Sequence, residues 1–166
     1  MKKALAIVLC VLAVCFASCN KEKEKPNQKF VGCYNGNICI NATISAEGQL
    51  MPIDSIEAAL SMDIQAGEKD NEITAICRFE EEERTLNGTV TENNVDFEPI
   101  TIYENQDGIE VRGDIHLKGV LNGTMLDING DVTGSGNITI ELLPAPIPVT
   151  LSGTITGTLN QTDVIQ

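Results

Sequence analysis

From residue 30 onward the chain consists of short segments in which apolar and polar residues alternate. In the first segment the even-numbered positions are apolar or small and most of the odd-numbered positions are polar, until the turn dipeptide Glu47-Gly48. The apolar or small positions are Phe30, Gly32, Tyr34, Gly36, Ile38, Ile40, Ala42 and Ile44. A period of two predicts a β-strand that buries one face.

Similar alternation recurs along the rest of the chain, separated by turn signals such as Asp107-Gly108 and Asn122-Gly123. The alternating segments cover residues 73–79, 86–90, 109–119, 126–134, 138–142 and 147–159. In the last segment the outer face carries a run of Thr and Ser, which suits an exposed sheet face. Each of these segments is predicted to be a strand.

Residues 52–66 fit two patterns. One set of apolar residues is spaced for the face of a helix that would begin at Pro52, and it comprises Ile53, Ile56, Leu60 and Ile64. The six alternate positions from Ile56 to Ala66 fit a strand instead. We favour the strand, because more positions agree and residues 67–71 then supply a turn into the next strand.

The alternation changes phase at Pro99. Val95 and Phe97 share one parity, whereas Ile100 and Ile102 have the other. Proline cannot donate a backbone hydrogen bond to a neighbouring strand, so a proline at a change of phase indicates a bulge or an edge position.

Eight or nine short strands with brief connections and no clear helix predict an all-β domain with antiparallel neighbours. The sequence predicts a single antiparallel up-and-down β-barrel of about eight strands. A two-sheet β-sandwich is the alternative.

Two stretches resemble calycin-like (lipocalin-like) β-barrel domains of Bacteroidota-type lipoproteins. The start of the first strand, Gly32-Cys33-Tyr34-Asn35-Gly36, is similar to the G-x-Y-x-G opening of that family, and residues 147–155 are similar to its final strand. The resemblance extends as a pattern over most of residues 30–160. It implies a small eight-stranded barrel and, for most members, no assigned activity.

The N-terminus has the features of an export signal. Lys2 and Lys3 precede an apolar stretch, residues 4–17, which as a helix would rise about 21 Å, too little for a hydrocarbon core about 30 Å thick. Residues 1–18 are therefore predicted to be a signal peptide.

The four residues Phe16 to Cys19 resemble a bacterial lipobox, which implies cleavage between Ser18 and Cys19 and lipidation of Cys19. Cys15 is a poorer candidate because a branched valine precedes it. An ordinary cleaved signal is the alternative. Residues 19–29 would then be a lipidated cysteine and a flexible charged tether, and residues 30–166 the barrel domain. We expect an exported lipoprotein anchored in the outer membrane, on its periplasmic or cell-surface side.

Residues 30–166 contain five basic and 22 acidic residues, a net charge of −17, whereas the preceding tether is basic. Nucleic acid and anionic membrane surfaces repel such a domain, so no nucleic-acid partner is expected, and the membrane contact is assigned to the lipid anchor.

Three cysteines remain in the predicted mature domain, Cys33, Cys39 and Cys77. We interpret them as free thiols, because an odd number cannot form a complete disulfide framework. Cys33 and Cys39 could pair only if the chain reversed at Asn35-Gly36, whereas the alternation runs straight through that dipeptide.

The sequence contains no recognisable catalytic constellation, cofactor motif or metal-ligand spacing, so we expect no enzyme activity and no cofactor. The single histidine, His116, is predicted to be a solvated surface residue. The segment Asp127–Asp131 has some acidic spacing of a calcium loop but lacks its glycine and terminal Glu. Asp54-Ser55-Ile56 resembles an O-glycosylation site of exported Bacteroidota-type proteins, which makes Ser55 a candidate acceptor.

Six glycines fall on the predicted inner face: Gly113, Gly119, Gly130, Gly134, Gly153 and Gly157. Two explanations stay open, strong coiling of the strands and room for an apolar ligand inside the barrel. The resulting hypothesis is a non-enzymatic, lipid-anchored barrel that binds a small apolar ligand or an envelope partner. The alternatives are a structural or accessory lipoprotein without a small ligand and, third, a hydrolase that uses surface carboxylates.

Overall fold

A computed structural model describes residues 25–80, 82–106, 108–139 and 145–162. A single 3₁₀ turn, Gln28–Phe30, precedes nine strands. The strands are β1 (Gly32–Ala46), β2 (Gln49–Ala66), β3 (Glu72–Phe79), β4 (Glu82–Thr91), β5 (Asn94–Phe97), β6 (Ile100–Gln106), β7 (Ile109–Asn122), β8 (Met125–Ile138) and β9 (Ile147–Thr162). Within these residues no helix has the length and apolar character needed to cross a bilayer.

All neighbouring strands are antiparallel, and the first strand, β1, pairs with the last, β9. Pairing of β5 with β7 closes the ring, so that β1 to β5 and β7 to β9 form an eight-stranded barrel with β6 as an extra strand. The predicted single antiparallel up-and-down barrel is confirmed. Residues 52–66 are strand, not helix, as the alternation indicated.

One end of the barrel, which we call the sealed end, contains residues 25–31 and the β2–β3, β4–β5 and β7–β8 turns. Asn27 is buried there, and its side-chain amide donates hydrogen bonds to the carbonyls of Lys69 and Glu72. Lys29 reaches across to the side-chain oxygen of Asn93. The sequence assigns residues 27–29 to the flexible tether. In the structure they pack on the barrel, because the side chain of Phe30 is buried and the chain before it therefore lies across this end.

The core of the sealed end is continuous and apolar. Its fully buried side chains include Phe30, Tyr34, Met62, Ile64, Ile73, Val95, Phe97, Leu126 and Leu159. They come from strands on all sides of the ring and fill its interior, as expected for a small barrel.

The wall of the barrel is broken where β5 gives way to β6. β5 pairs with both β4 and β7, but β6 pairs with β7 only. The break falls at Glu98 and Pro99, so the predicted irregularity at the proline is confirmed. Beyond Asn87, which accepts a hydrogen bond from the Glu98 amide, no strand of the described structure pairs with β4 on this side.

Beyond this break lies the open end, which contains the β1–β2, β3–β4 and β6–β7 turns. The register between β1 and β2 shifts between Ile40 and Ala42, so that Ile56 lies opposite Ile40 and Ile53 lies opposite Ala42. Because directly opposed residues share a sheet face, this bulge brings both Ile53 and Ile56 to the inner face.

The predicted separate strand at 138–142 is wrong at its start. β8 runs without interruption to Ile138, which pairs with Ile147 of β9. The β8 glycines at 134 and 136 lie in a continuous ladder and do not end the strand. Residues 140–144 lie outside the described residues.

The inward glycines allow close approach of neighbouring strands. A Cβ at Gly153 would lie 2.5 Å from the Asn41 carbonyl oxygen, and Gly113 and Gly134 stand directly opposite each other. Cβ atoms at 113 and 134 would each lie 2.9 Å from a carbonyl oxygen of the neighbouring strand. These contacts favour strong coiling as the reason for the glycines.

We expect Gly153→Ala to lower the free energy of unfolding by about 2 kcal/mol, because backbone atoms of β1 must move to admit the methyl group. Urea denaturation of the variant measures the change. Ser152→Ala, on the exposed outer face next to it, serves as the control and should change stability by less than about 0.5 kcal/mol. Equal stability of Gly153→Ala and the unmodified protein would contradict this role.

Candidate ligand-binding site

The break in the wall leaves an apolar cavity of about 180 Å³ inside the barrel. Ten of the thirteen residues that line it have aliphatic or aromatic side chains. The lining residues are Ile38, Ile40, Leu60, Cys77, Phe79, Glu82, Arg84, Leu86, Ile100, Ile102, Ile115, Leu117 and Ile155.

The cavity exists because two strands diverge. β4 and β6 would face each other across the ring, but β4 loses its partner beyond Asn87 and β6 pairs only with β7. The inner residues of this region are therefore packed from one side only. Ile100 and Ile115, for example, are directly opposed on β6 and β7 and stay partly buried against the core.

Two charged residues stand at the rim of this cavity. Glu82 and Arg84 have the same parity on β4 as the buried Leu86 and Val90, and thus extend its inner face towards the open end. An Nη atom of Arg84 lies 3.0 Å from a carboxylate oxygen of Glu82, and both side chains are largely exposed. The rim thus offers both a hydrogen-bond donor and an acceptor next to an apolar interior.

The cavity volume limits what fits. A dry apolar cavity of about 150 Å³ holds one benzene ring, so 180 Å³ accommodates a single ring or a short aliphatic group. A larger ligand would have to extend along the inner face of the open end, where Met51, Ile53 and Ile109 are exposed. The site can bind an apolar group and contact a polar substituent at the rim.

The polar members of the lining do not form a catalytic constellation. They are Cys77, Glu82 and Arg84, and no histidine lies among them. Burial raises the pKa of the Cys77 thiol to about 12, so this cysteine stays protonated and unreactive at neutral pH. The geometry therefore fits binding better than catalysis.

The other candidate residues lie away from the cavity. His116 is on the outer face of β7, with Nε2 2.5 Å from a carboxylate oxygen of Asp96. Asp127 accepts hydrogen bonds from Thr158 and Asn122, which lower the pKa of its carboxyl group. Among the residues with described positions, no group of three His, Cys, Asp or Glu side chains could hold a metal ion.

The three domain cysteines are free thiols, as predicted. β1 runs straight through Asn35 and Gly36, so Cys33 and Cys39 stay far apart on it. Ser55 is exposed on β2, and its hydroxyl oxygen lies 2.9 Å from the Cys39 sulfur. Ser18 and Cys19 lie outside the described residues.

Larger grooves exist on the outer surface of the barrel, but their linings are mixtures of polar and apolar atoms. One of about 500 Å³ lies over β3 and β4, and another of about 530 Å³ lies beside Tyr103 and Arg112. The polar side chains in these linings are all at least partly exposed, so none is a buried group that would hold a ligand. The smaller interior cavity is the better candidate because its walls are almost entirely apolar.

The rim pair is the part of the site that sequence reasoning missed. Residues 80–83 are four consecutive glutamates, a composition typical of a solvated loop or strand end, whereas Glu82 begins β4. The alternation of β4 does indicate their position, because Arg84 and Glu82 precede the buried Leu86 by two and four residues and so lie on the same face of the strand. The charge of the run concealed this alternation.

No family model and no curated protein matches the sequence. Similar solved structures include a protein of unknown function from the DUF3598 family of Nostoc punctiforme, with 11% identity and a TM-score of 0.33 over 78% of this chain and 48% of that one. A structural-genomics protein of unknown function from Bacteroides ovatus has 10% identity and a TM-score of 0.28 over 82% and 50%. A mutant transferrin-binding protein B from Haemophilus parasuis, described as a vaccine antigen, has 12% identity and a TM-score of 0.32 over 79% and 27%.

This chain thus spans half the length of these proteins or less. At such TM-scores the similarities assign neither a family nor a function, and the barrel is established by its own strand pairing.

The raised pKa of Cys77 predicts slow alkylation. At pH 8 iodoacetamide should modify Cys39 and Cys33, which are half-exposed, well before Cys77, which is buried. The thiol of Cys77 has a pKa near 8.5 in the unfolded chain but about 12 in the folded protein. Between these pH values only the unfolded chain loses the proton, so the contribution of Cys77 to the free energy of unfolding falls as the pH rises. Mass spectrometry of time-resolved labelling measures the order. Labelling of Cys77 at the rate of Cys39 would show that the cavity floor is open to solvent.

Proposed function

We propose that this protein is a non-enzymatic, lipid-anchored envelope lipoprotein that binds a small apolar ligand in the barrel cavity. The observation that carries the proposal is the apolar cavity between β4 and β6, with its rim pair of Glu82 and Arg84. A barrel interior that served only for stability would be filled to the end of its strands, as the sealed end is.

The ligand class follows from the lining. The interior is apolar, so a ligand gains affinity by removing apolar surface from water. The rim pair can accept a hydrogen bond through Glu82 and donate one through Arg84, so one polar substituent is tolerated at the entrance. A ring or short aliphatic group with one polar end fits both features.

The lipid anchor rests on the sequence of residues 16–19. If Cys19 is the attachment point, the chain from Cys19 to Lys25 spans at most about 20 Å, even fully extended. Since residues 25–30 lie at the sealed end, that end would stay close to the bilayer and the cavity would open away from it. The basic segment that follows Cys19 would then lie between the lipid surface and the acidic barrel.

The cavity is tested by filling it. Ile102→Trp places a large ring in the cavity, whereas Tyr103→Trp changes the neighbouring residue on the exposed outer face. We expect the neutral fluorescent probe N-phenyl-1-naphthylamine to bind the unmodified protein saturably, with its phenyl ring in the cavity and its naphthyl group along the inner face of the open end. Ile102→Trp should weaken binding at least tenfold, about 1.4 kcal/mol, and Tyr103→Trp should leave it unchanged.

Thermal unfolding of both variants shows whether they are folded. Because the natural chain has no tryptophan, energy transfer from the introduced tryptophan to the bound probe also measures how close the two lie in each variant. Tight binding by a folded Ile102→Trp variant, or no saturable binding to the unmodified protein, would contradict the cavity as the ligand site.

The anchor is tested by removing the acylated sulfur. We expect Cys19→Ala to move the protein from the membrane fraction to the soluble fraction and to abolish metabolic labelling with a palmitate analogue. Cys15→Ala, four residues earlier, should leave both unchanged. Membrane fractionation of the Cys19→Ala variant would be the contrary result.

A further inference from the structure

β2 has a long edge without a partner strand. It pairs with β1 over almost its whole length, but β3 pairs with it only from Leu60 to Ala66. Residues 49–59, which we call the free edge of β2, thus have one neighbouring strand in the described structure. Eleven residues in extended conformation measure about 36 Å, enough for a strand of ordinary length to pair with.

The free edge of β2 exposes apolar side chains. Met51, Ile53 and Ile56 lie opposite inner-face residues of β1, and they are 45%, 37% and 48% exposed. Leu50, on the other face, is 73% exposed. Exposed apolar side chains on an unpaired edge are unusual, because such edges invite pairing with another chain.

The barrel leaves space beside this edge. β3 ends at Phe79, opposite Leu60, so the place next to residues 49–59 that β3 would occupy is vacant among the described residues. Across the opening, β6 also has only one partner, β7. A strand added to β2 would therefore continue the sheet at a position where the barrel wall stops, and would cover Met51, Ile53 and Ile56.

Charge selects the kind of strand that can be added. Asp54 and Glu57 lie on the free edge, and Glu47 lies at its turn. None of these three residues or of their neighbours on β2 forms an ion pair within the described part of the chain. The arginines at 78 and 84 are already paired with Glu83 and Glu82. Two copies of this acidic domain would bring like charges together at this edge, which disfavours self-pairing.

We propose that the free edge of β2 is a docking site for an extended segment of a partner protein that alternates apolar and basic residues. The segment adds antiparallel or parallel to β2 as an extra strand. Its apolar residues pack on the inner face with Met51, Ile53 and Ile56, and its basic residues face outward beside Glu57, which lies on the outer face opposite Cys39. This interaction goes beyond ligand binding in the cavity, and it uses the inner face at Met51 and Ile53 that a ligand longer than the cavity would also contact.

The test uses the purified full-length protein and a nine-residue peptide of alternating Val and Lys. A peptide with the same composition but with its lysines in one block controls for charge attraction alone, and an alternating Val and Glu peptide controls for backbone pairing alone. We expect the alternating Val and Lys peptide to bind at least tenfold more tightly than either. It should also slow amide hydrogen exchange in residues 49–59.

Matched variants locate the site. Met51→Lys places a positive charge on the free edge and should weaken peptide binding at least tenfold. Met125→Lys, at an equally exposed methionine beside the β7–β8 turn of the sealed end, should leave binding unchanged. Neither variant removes a buried side chain, and circular dichroism verifies that both are folded.

Three results would overturn the proposal. Equal binding of the alternating and block peptides would show charge attraction without strand addition. Unchanged exchange in residues 49–59 would place the peptide elsewhere. A concentration-dependent dimer in analytical ultracentrifugation that Met51→Lys dissociates would identify a second copy of this chain as the occupant.

Discussion

The shape of this protein depends on the short pairing of β5 with β7, which closes only part of the barrel wall. Only three residue pairs, Asn94 to Asp96 with Lys118 to Val120, join β5 to β7. Val95 and Phe97 anchor the strand because both are almost completely buried. The pairing of β5 ends at Asp96 and Phe97, just before Pro99, which has no amide hydrogen to donate. This single interruption divides a filled half of the barrel from an unfilled one.

The two halves differ in kind. At the sealed end the turns are tied to strands by backbone hydrogen bonds, such as those from the Leu121 amide to the Asn93 carbonyl and from the Gln161 amide to the Thr124 carbonyl. The interior there is filled by buried side chains. At the open end β1 and β2 extend beyond the β3–β4 turn and β5 no longer closes the wall, so the apolar inner face is only partly covered. The packed core is thus concentrated in one half, and the cavity and the exposed apolar residues lie in the other.

Alternation in the sequence was sufficient to predict the strands, their antiparallel order and the interruption at Pro99, because period and phase are local properties. The placement of Asn27 and Lys29 was not predictable, because their partners lie in turns more than 40 residues away. The inward parity of Glu82 and Arg84 was available locally but was hidden by charge. The unequal lengths of β2 and β3, which create the free edge, follow from where β3 ends and not from any pattern within β2.

The pairing of β1 with β9 has a consequence for how the chain reaches its folded state. Fourteen residue pairs join the first strand to the last, across more than 100 residues of intervening chain. Such distant contacts make folding slow, because the entropy of closing the loop is lost before any pairing is gained. During synthesis β1 is the first strand to be made, and the edge that pairs with β9 stays without its partner until β9 has been made. The barrel can therefore close only after the last strand has been made.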